Sequence, residues 1–550
     1  MANPERPPLW AIAILTVAVV LAYSNTFAVP FLFDDSINIL ENPSIRRLWP
    51  PWAPLQVPAF TGILGRPVIN FSLALNYFIS GEQVWSYHVF NLLVHIFSAW
   101  TLFAVIRRTV AFMPGDSPYA RNAFRYAFSC ALLWALHPLA TQAVTYIIQR
   151  CESLMALFVL LTLYSAVRCW QSEGGKHWQY LVVLFFFLAV GSKESAVVTP
   201  VLIVIYDWVF RGRAPLAALK ASPFLYAGLL LGAMVTVMMT LLNDALALRA
   251  ANLSFPVVNY WITQADVLIH YIRLAVWPTG QVIDYGWPAS TFGDSWPTVL
   301  VILMVAGLSL RLVMRKNASG FLLACIFLLL APSSLIPLPD IAFEHRMYLP
   351  LAAVICLVIG LLCYGLACRG APQIQGTARR WIFSPESLLI PITICLSLLL
   401  GCMTYQRNHV YRSEMSLWYD TIKKRPGNFR GYHGVGLALS KEGKLDQGLD
   451  YLQQALMRND RNAYVYNDIG FLLFRLHRAH EAVSYFMEAT RLKPNYFKAY
   501  NNLGAALGQT GRPQEAIHNF MAAIRLNPDY MPARNNLQAA IAQLKNTSGD

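Results

Sequence analysis

A chain of 550 residues with 43 Lys+Arg against 29 Asp+Glu carries a formal charge of +14. Its hydrophobic fraction is 56% and its charged fraction 13%, where a soluble domain carries about 25% charged residues. With a mean hydropathy of +0.43, these values exclude a disordered chain and an ordinary cytosolic enzyme.

The charge is unevenly spread. Residues 1–403 hold 24 basic and 17 acidic residues, and 404–550 hold 19 and 12. That density contrast predicts a membrane part followed by a soluble part. A bilayer core about 30 Å thick needs roughly 20 apolar residues as helix. Eleven candidate spans meet or approach that length: 9–29, 87–106, 123–140, 153–170, 178–192, 195–210, 222–242, 297–315, 320–338, 348–368 and 385–403. The first run, Leu9 to Phe31, lacks a small-residue cleavage site and is read as a retained anchor. The fifth and sixth spans are short enough to be one broken element. With the N-terminus inside, 16 of the 24 basic residues fall on the cytoplasmic side, among them Arg6, Arg107, Arg108, Arg311, Arg369, Arg379 and Arg380. This basic bias sets the orientation and puts the C-terminal part outside the cytoplasm. It also explains the positive charge without nucleic acid as a partner.

Two outer connectors are long, 30–86 and 243–296. The second contains the amphipathic, aromatic-rich stretch Trp261–Trp277, which suits the membrane surface or a dip into it. The first begins Phe31-Leu32-Phe33-Asp34-Asp35-Ser36. Two adjacent carboxylates at a membrane exit allow one to act as general base toward a hydroxyl, since like charges that close raise one pKa. The alternative is a helix cap.

Further charges gather at the outer ends of spans: Arg66, Arg150, Lys193, Glu194, and the run Glu344-His345-Arg346. Membrane-edge charges are costly and often functional, and arginine grips phosphate in a bidentate way. A shared anionic-lipid site fits the group. Pairing with Glu152, Glu194 or Glu344, or simple interface anchoring, is the other reading. His88, His95 and His137 are read as packing residues. Nine cysteines lie mostly in apolar runs without CxxC or zinc spacing. No HExxH or other ligand cluster argues for a metal, the absence of a P-loop disfavours ATP-driven transport, and no GxSxG elbow marks a hydrolase; no cofactor is expected.

The soluble part repeats. Tyr432, Tyr466 and Tyr500 are 34 apart, as are Gly436, Gly470 and Gly504; Phe486 and Phe520, then Pro494 and Pro528, keep the period. A 34-residue helix–turn–helix repeat is the tetratricopeptide signature. Three repeats are expected at 429–462, 463–496 and 497–530, the first degenerate, with a half repeat in 404–428 and a capping helix over 531–545. Asn467, Asn501 and Asn502 lie on first helices, which line the concave groove of such solenoids. They suit hydrogen bonds to an acceptor peptide, or a solvated face.

The chain resembles the membrane O-mannosyltransferases that join a C-type glycosyltransferase fold to tetratricopeptide repeats, and their bacterial homologues. The resemblance rests on Phe33-Asp34-Asp35, Gly65-Arg66-Pro67 with Asn76-Tyr77, Tyr87-His88 through His95, Ala143 through Arg150, Ser192-Lys193-Glu194, Asp284-Tyr285, and His345 through Pro350. It implies an all-α polytopic membrane domain over 1–403, then the repeat solenoid over 429–545. It implies a polyprenyl-phosphate sugar as donor, inversion at the sugar carbon, and transfer to a protein hydroxyl on the non-cytoplasmic side, here the periplasmic face of an inner membrane. By position, Asp34 becomes the base and Asp35, where the family has Glu, its support. Lys193, Arg346, His345, Arg150 and Arg66 become phosphate ligands, with Glu194 and Glu344 supporting them. A lipid or glycan acceptor is a second reading. A membrane-anchored scaffold or transporter with a structural acidic pair is a third.

Overall fold

The computed structural model describes residues 8–58, 61–113, 117–171, 175–242, 255–368 and 388–548. Arg6, Arg369, Arg379 and Arg380 of the orientation reading, and 243–254 of the second outer connector, lie outside the described residues. Among the described residues all regular structure is helical. The chain forms two compact units: Met1–Gln281 with Trp287–Ser413, and Val282–Gly286 with Glu414–Asp550.

The first unit is a bundle of apolar helices. Six are long and apolar enough to cross a membrane, and two bent pairs bring the number to eight among the described residues. Three shorter apolar helices, Leu9–Ala22, His177–Ser192 and Pro350–Leu366, fall on other expected spans. By length and composition the count is therefore six to eight, and eleven is not established. Leu9–Ala22 stops short of the expected 9–29 because Ser24 and Thr26 turn the chain back through short-range bonds to Leu21 and Tyr23. The expected span 123–140 breaks after Ala135, where Pro138 has no N–H to continue the helix, and the chain bends by 52°.

Burial sorts these helices. Trp85–Val110 and Arg150–Gln171 sit inside the bundle, with His95, Leu102, Phe103, Ser153 and Ala156 buried. Phe292–Met314 instead turns Leu300, Leu303, Met304, Leu308 and Leu310 outward. An apolar outer surface of that kind is stable against lipid and costly against water. The amphipathic stretch 261–277 lies on the helix Val257–Val276; Thr263, Val267 and Leu274 are buried, while Val258, Trp261, Ile272 and Val276 are exposed. That helix is not among the apolar candidates for crossing.

The second unit stacks the helices Glu414–Lys424, Phe429–Lys441, Leu445–Arg458, Ala463–Arg475, Ala479–Leu492, Phe497–Gln509, Pro513–Leu526 and Met531–Ser548. Asn428 and Asn462 cap the first helices of the first two repeats through their side-chain oxygens. The periodic residues form the core: Leu452, Phe486 and Phe520 are nearly inaccessible. Each aromatic ring packs against a glycine of the preceding helix. A Cβ at Gly470 would sit 2.8 Å from Phe486, and one at Gly504 would sit 2.7 Å from Phe520. The smaller Leu452 of the degenerate repeat faces Gly436 in the same way. Asp284, from the segment Val282–Gly286, accepts hydrogen bonds from Asn428 Nδ2 and pairs with Arg430 at 2.9 Å within this unit.

The Gly–Phe contact predicts that Gly504→Val destabilises the repeats by about 1–3 kcal/mol through overpacking. Adding Phe520→Leu should recover part of the loss. Thermal unfolding of the three proteins checks this; equal melting of wild type and Gly504→Val would contradict it.

Candidate active site

Several charged side chains of the first unit stand at breaks between its apolar helices. The first break is the turn after the helix Leu9–Ala22. Phe33 adopts φ +43, a left-handed conformation uncommon for a bulky residue. The turn is locked by Asp35, whose N–H donates to Leu32 O at 2.8 Å and whose Oδ2 accepts from Leu32 N–H at 2.9 Å. Asp35 Oδ1 accepts from Ile148 N–H at 2.9 Å. The Asp35 carboxyl is fully buried. Burial pushes its pKa up to about 7, against the two backbone donors that favour the charged form.

Asp34 points the other way and is exposed. Tyr146, at the second break, meets it: Tyr146 Oη accepts from Asp34 N–H at 3.0 Å and its ring packs edge-on against Phe33. The Asp34 pKa is raised, first by desolvation; the Tyr146 hydroxyl lowers it and Asp340 raises it further. The two residues of the acidic pair thus have separate jobs. Asp34 presents a carboxylate to solvent, and Asp35 is a buried fastener for the turn that carries it.

A second set of groups forms a cationic corner. Arg66 makes a bidentate pair with Glu194, at 3.1 and 3.0 Å. Lys193 Nζ donates to Glu152 Oε1, and His345 Nε2 lies 3.9 Å from the same oxygen. Burial and the nearby charges of Lys193, Arg346 and Arg66 hold His345 well below the usual imidazole range, so it is neutral. Arg346 donates to Ile341 O at 2.7 Å and Asp340 O at 2.9 Å. No carboxylate stands within ion-pair distance of Arg346 among the described residues, in contrast to Arg66 and Lys193. The 340–346 segment links the two sets, since Arg346 fixes the carbonyl of Asp340, whose charge acts on Asp34.

One expected phosphate ligand, Arg150, and one expected supporting residue, Glu344, sit elsewhere. Arg150 is fully buried and its guanidinium donates to Ser72 Oγ, Asn76 Oδ1 and Tyr87 O, with Phe90 beneath it. It braces three helices below the acidic turn and offers no open face to a phosphate. Glu344 is also buried, 3.3 Å from Gln281 and 3.7 Å from Arg407. It ties the Glu344–Met347 turn to Gln281 and Arg407.

In the second unit the asparagines bond one another. Asn502 Nδ2 donates to Asn467 Oδ1 at 2.9 Å, and Asn536 Nδ2 donates to Asn501 Oδ1 at 2.9 Å. His433 extends the series to Asp468 at 2.7 Å. Each rung spans 35 residues, one repeat and one position. Asn467 and Asn501 are each 6% exposed, so their amides serve helix stacking in this state; Asn502 is half-buried.

Sequence reasoning passed over Tyr146 as a functional residue and treated Glu152 only as a pairing partner. Tyr146 stood inside a quoted motif, but its position beside Asp34 depends on the break at Pro138. Glu152 follows Arg150 by two residues, and nothing local distinguishes it.

Tetratricopeptide-repeat models match residues 463–496 and 497–530. Along most of its length the chain is similar to proteins named protein O-mannosyl-transferases. One is F38B6.6 of Caenorhabditis elegans, 23% identical over 449 residues, covering 78% of this chain and 60% of that protein. Human TMTC3 is 24% identical over 487 residues, covering 80% and 50%. Drosophila melanogaster Tmtc3 is 24% identical over 533 residues, covering 82% and 55%. The chain spans about half the length of the curated relatives it matches.

The buried Asp35 generates a pH prediction. Its folded pKa lies above the ordinary carboxyl value, so its contribution to stability is complete at low pH and is lost as pH rises from about 4 to about 7. The stability difference between wild type and Asp35→Asn should shrink over that window and stay flat above it. Denaturation of both proteins at several pH values measures the difference; one that does not vary with pH would contradict the assignment.

Proposed function

We propose that the protein is a membrane glycosyltransferase that moves a sugar, of the mannosyl class, from a polyprenyl-phosphate donor to a protein hydroxyl on the periplasmic side. The observation that carries this reading is the pairing of one solvent-facing carboxylate, Asp34, with the nearby segment 340–346 whose Arg346 lacks a carboxylate partner among the described residues. Similarity to proteins named O-mannosyl-transferases supports it, as does the apolar bundle, through which a lipid donor reaches such a site.

In this reading the lipid phosphate meets Arg346 and Lys193, with Arg66 and His345 behind them. Arg346 is the strongest candidate, because phosphate does not have to displace a carboxylate from it. Asp34 takes the proton of the acceptor hydroxyl. The hydroxyl oxygen forms a bond to the anomeric carbon from the face opposite the phosphate. The bond from that carbon to the phosphate oxygen breaks, and its electron pair leaves on the lipid phosphate. The configuration inverts. The developing phosphate charge is stabilised by fixed cations, so no strong general acid is required. The acceptor is recognised by the repeats, on the face carrying the asparagine ladder, with Asn502 the half-buried member.

Asp34→Asn should lower transfer by about 100-fold or more while leaving expression and donor binding intact. Incubating purified protein with a polyprenyl-phosphate sugar panel and periplasmic acceptors, read by mass spectrometry, measures it. Undiminished transfer in that variant would remove Asp34 as the base, and a wild type that transfers no sugar from any donor would favour the scaffold reading. Tyr146→Phe removes a hydrogen bond that favours ionised Asp34. The acid limb of its pH–rate profile should therefore move to higher pH, and an unmoved limb would show that Tyr146 only packs against Phe33.

A further inference from the structure

The cationic corner is less positive than its sequence suggests. It holds three basic side chains, Arg66, Lys193 and Arg346, and two carboxylates, Glu152 and Glu194. His345 adds no charge while it stays neutral. The balance is a single positive charge. One of the two carboxylates lies deep: the Glu152 side chain is 5% exposed, against 17% for Lys193 and 33% for Glu194. Its Oε1 takes the ammonium of Lys193 and faces the ring of His345 at 3.9 Å.

That balance discriminates between the two ends of a transfer reaction. A sugar esterified to a lipid phosphate leaves a phosphodiester, which carries one negative charge. Once the sugar departs, the lipid keeps a phosphomonoester, which carries about 1.5 to 2 negative charges near neutral pH. A corner with one net positive charge neutralises the diester and leaves the monoester in excess. The excess charge is felt most where water is scarce, beside buried Glu152.

We propose that Glu152 is a product-release residue: its buried carboxylate holds Lys193 in place and repels the spent lipid monophosphate, so that the corner favours the donor diester over the product. The proposal rests on the donor-site reading above. It differs from a merely structural ion pair in the sign of its consequence. If Glu152 serves only to position Lys193, its loss lets the lysine side chain leave the corner, and phosphate binding is unchanged or weaker. A release residue, once neutralised, leaves a corner with two net charges that grips the monophosphate.

The test measures binding, with no turnover needed. Full-length protein in nanodiscs is titrated at pH 8 with a short polyprenyl monophosphate and, separately, with its methyl phosphodiester. Wild type should bind the diester more tightly than the monophosphate. Glu152→Gln should bind the monophosphate on the order of tenfold more tightly than wild type, with a smaller change for the diester. Adding Lys193→Met to Glu152→Gln should abolish the gain. A folded Glu152→Gln protein with equal or weaker monophosphate affinity overturns the proposal and leaves the donor site standing. The wild-type order alone serves if that variant does not fold, since tighter binding of the monophosphate than the diester by wild type overturns the proposal as well. Wild type binding neither lipid overturns the donor-site reading itself.

Discussion

Asp35 has no accessible surface, and both its oxygens are taken by backbone N–H groups of segments far apart in sequence, Leu32 and Ile148. A buried carboxyl is expensive unless such donors meet it, so the chain has strong reason to keep this junction closed. The junction joins the turn after the helix Leu9–Ala22 to the start of the helix Arg150–Gln171. Arg150 lies at the head of that helix and fixes it to the helices Pro67–Ser80 and Trp85–Val110 through Asn76 and Tyr87. With both contacts in place, Tyr146 is held against Phe33 and Asp34 faces outward.

The same economy recurs at the other breaks. Apolar helices fill the bundle without specifying much beyond burial. The interruptions between them supply most charges of the proposed site, while Glu152 comes from the first turn of the helix Arg150–Gln171. Lys193 and Glu194 stand where one apolar helix ends and a short 3-10 turn begins, and His345 and Arg346 occupy another such turn. Backbone left unbonded at a break must find partners inside the protein. Arg346 meets two such carbonyls, those of Asp340 and Ile341. The groups that repair the backbone thus also assemble the site.

The repeats were legible in the sequence because their period is physical. A ring at Phe486 or Phe520 can seat only on a glycine, so both positions recur every 34 residues. The apolar helices were legible from composition, although their lengths were not: Ser24, Thr26 and Pro138 end helices that hydropathy alone extends. The acidic pair was visible as a pair, yet adjacency in sequence hid the division between an exposed Asp34 and a buried Asp35. Arg150 misled for a related reason, since a cation at a membrane edge reads the same whether it faces solvent or braces three helices. The asparagines of the ladder were found at the right spacing, but the 35-residue rungs that bond them to one another depend on the stacking angle. Glu152 gained meaning only when Lys193 and His345 converged on one of its oxygens.

The most direct test of the account is a structure of the protein with a polyprenyl-phosphate mannose bound. The account predicts the phosphate within hydrogen-bond reach of Arg346 and Lys193, and the anomeric carbon between that phosphate and the Asp34 carboxylate. A phosphate seated away from those two cations, or a sugar whose reacting carbon lies out of reach of Asp34, would contradict it.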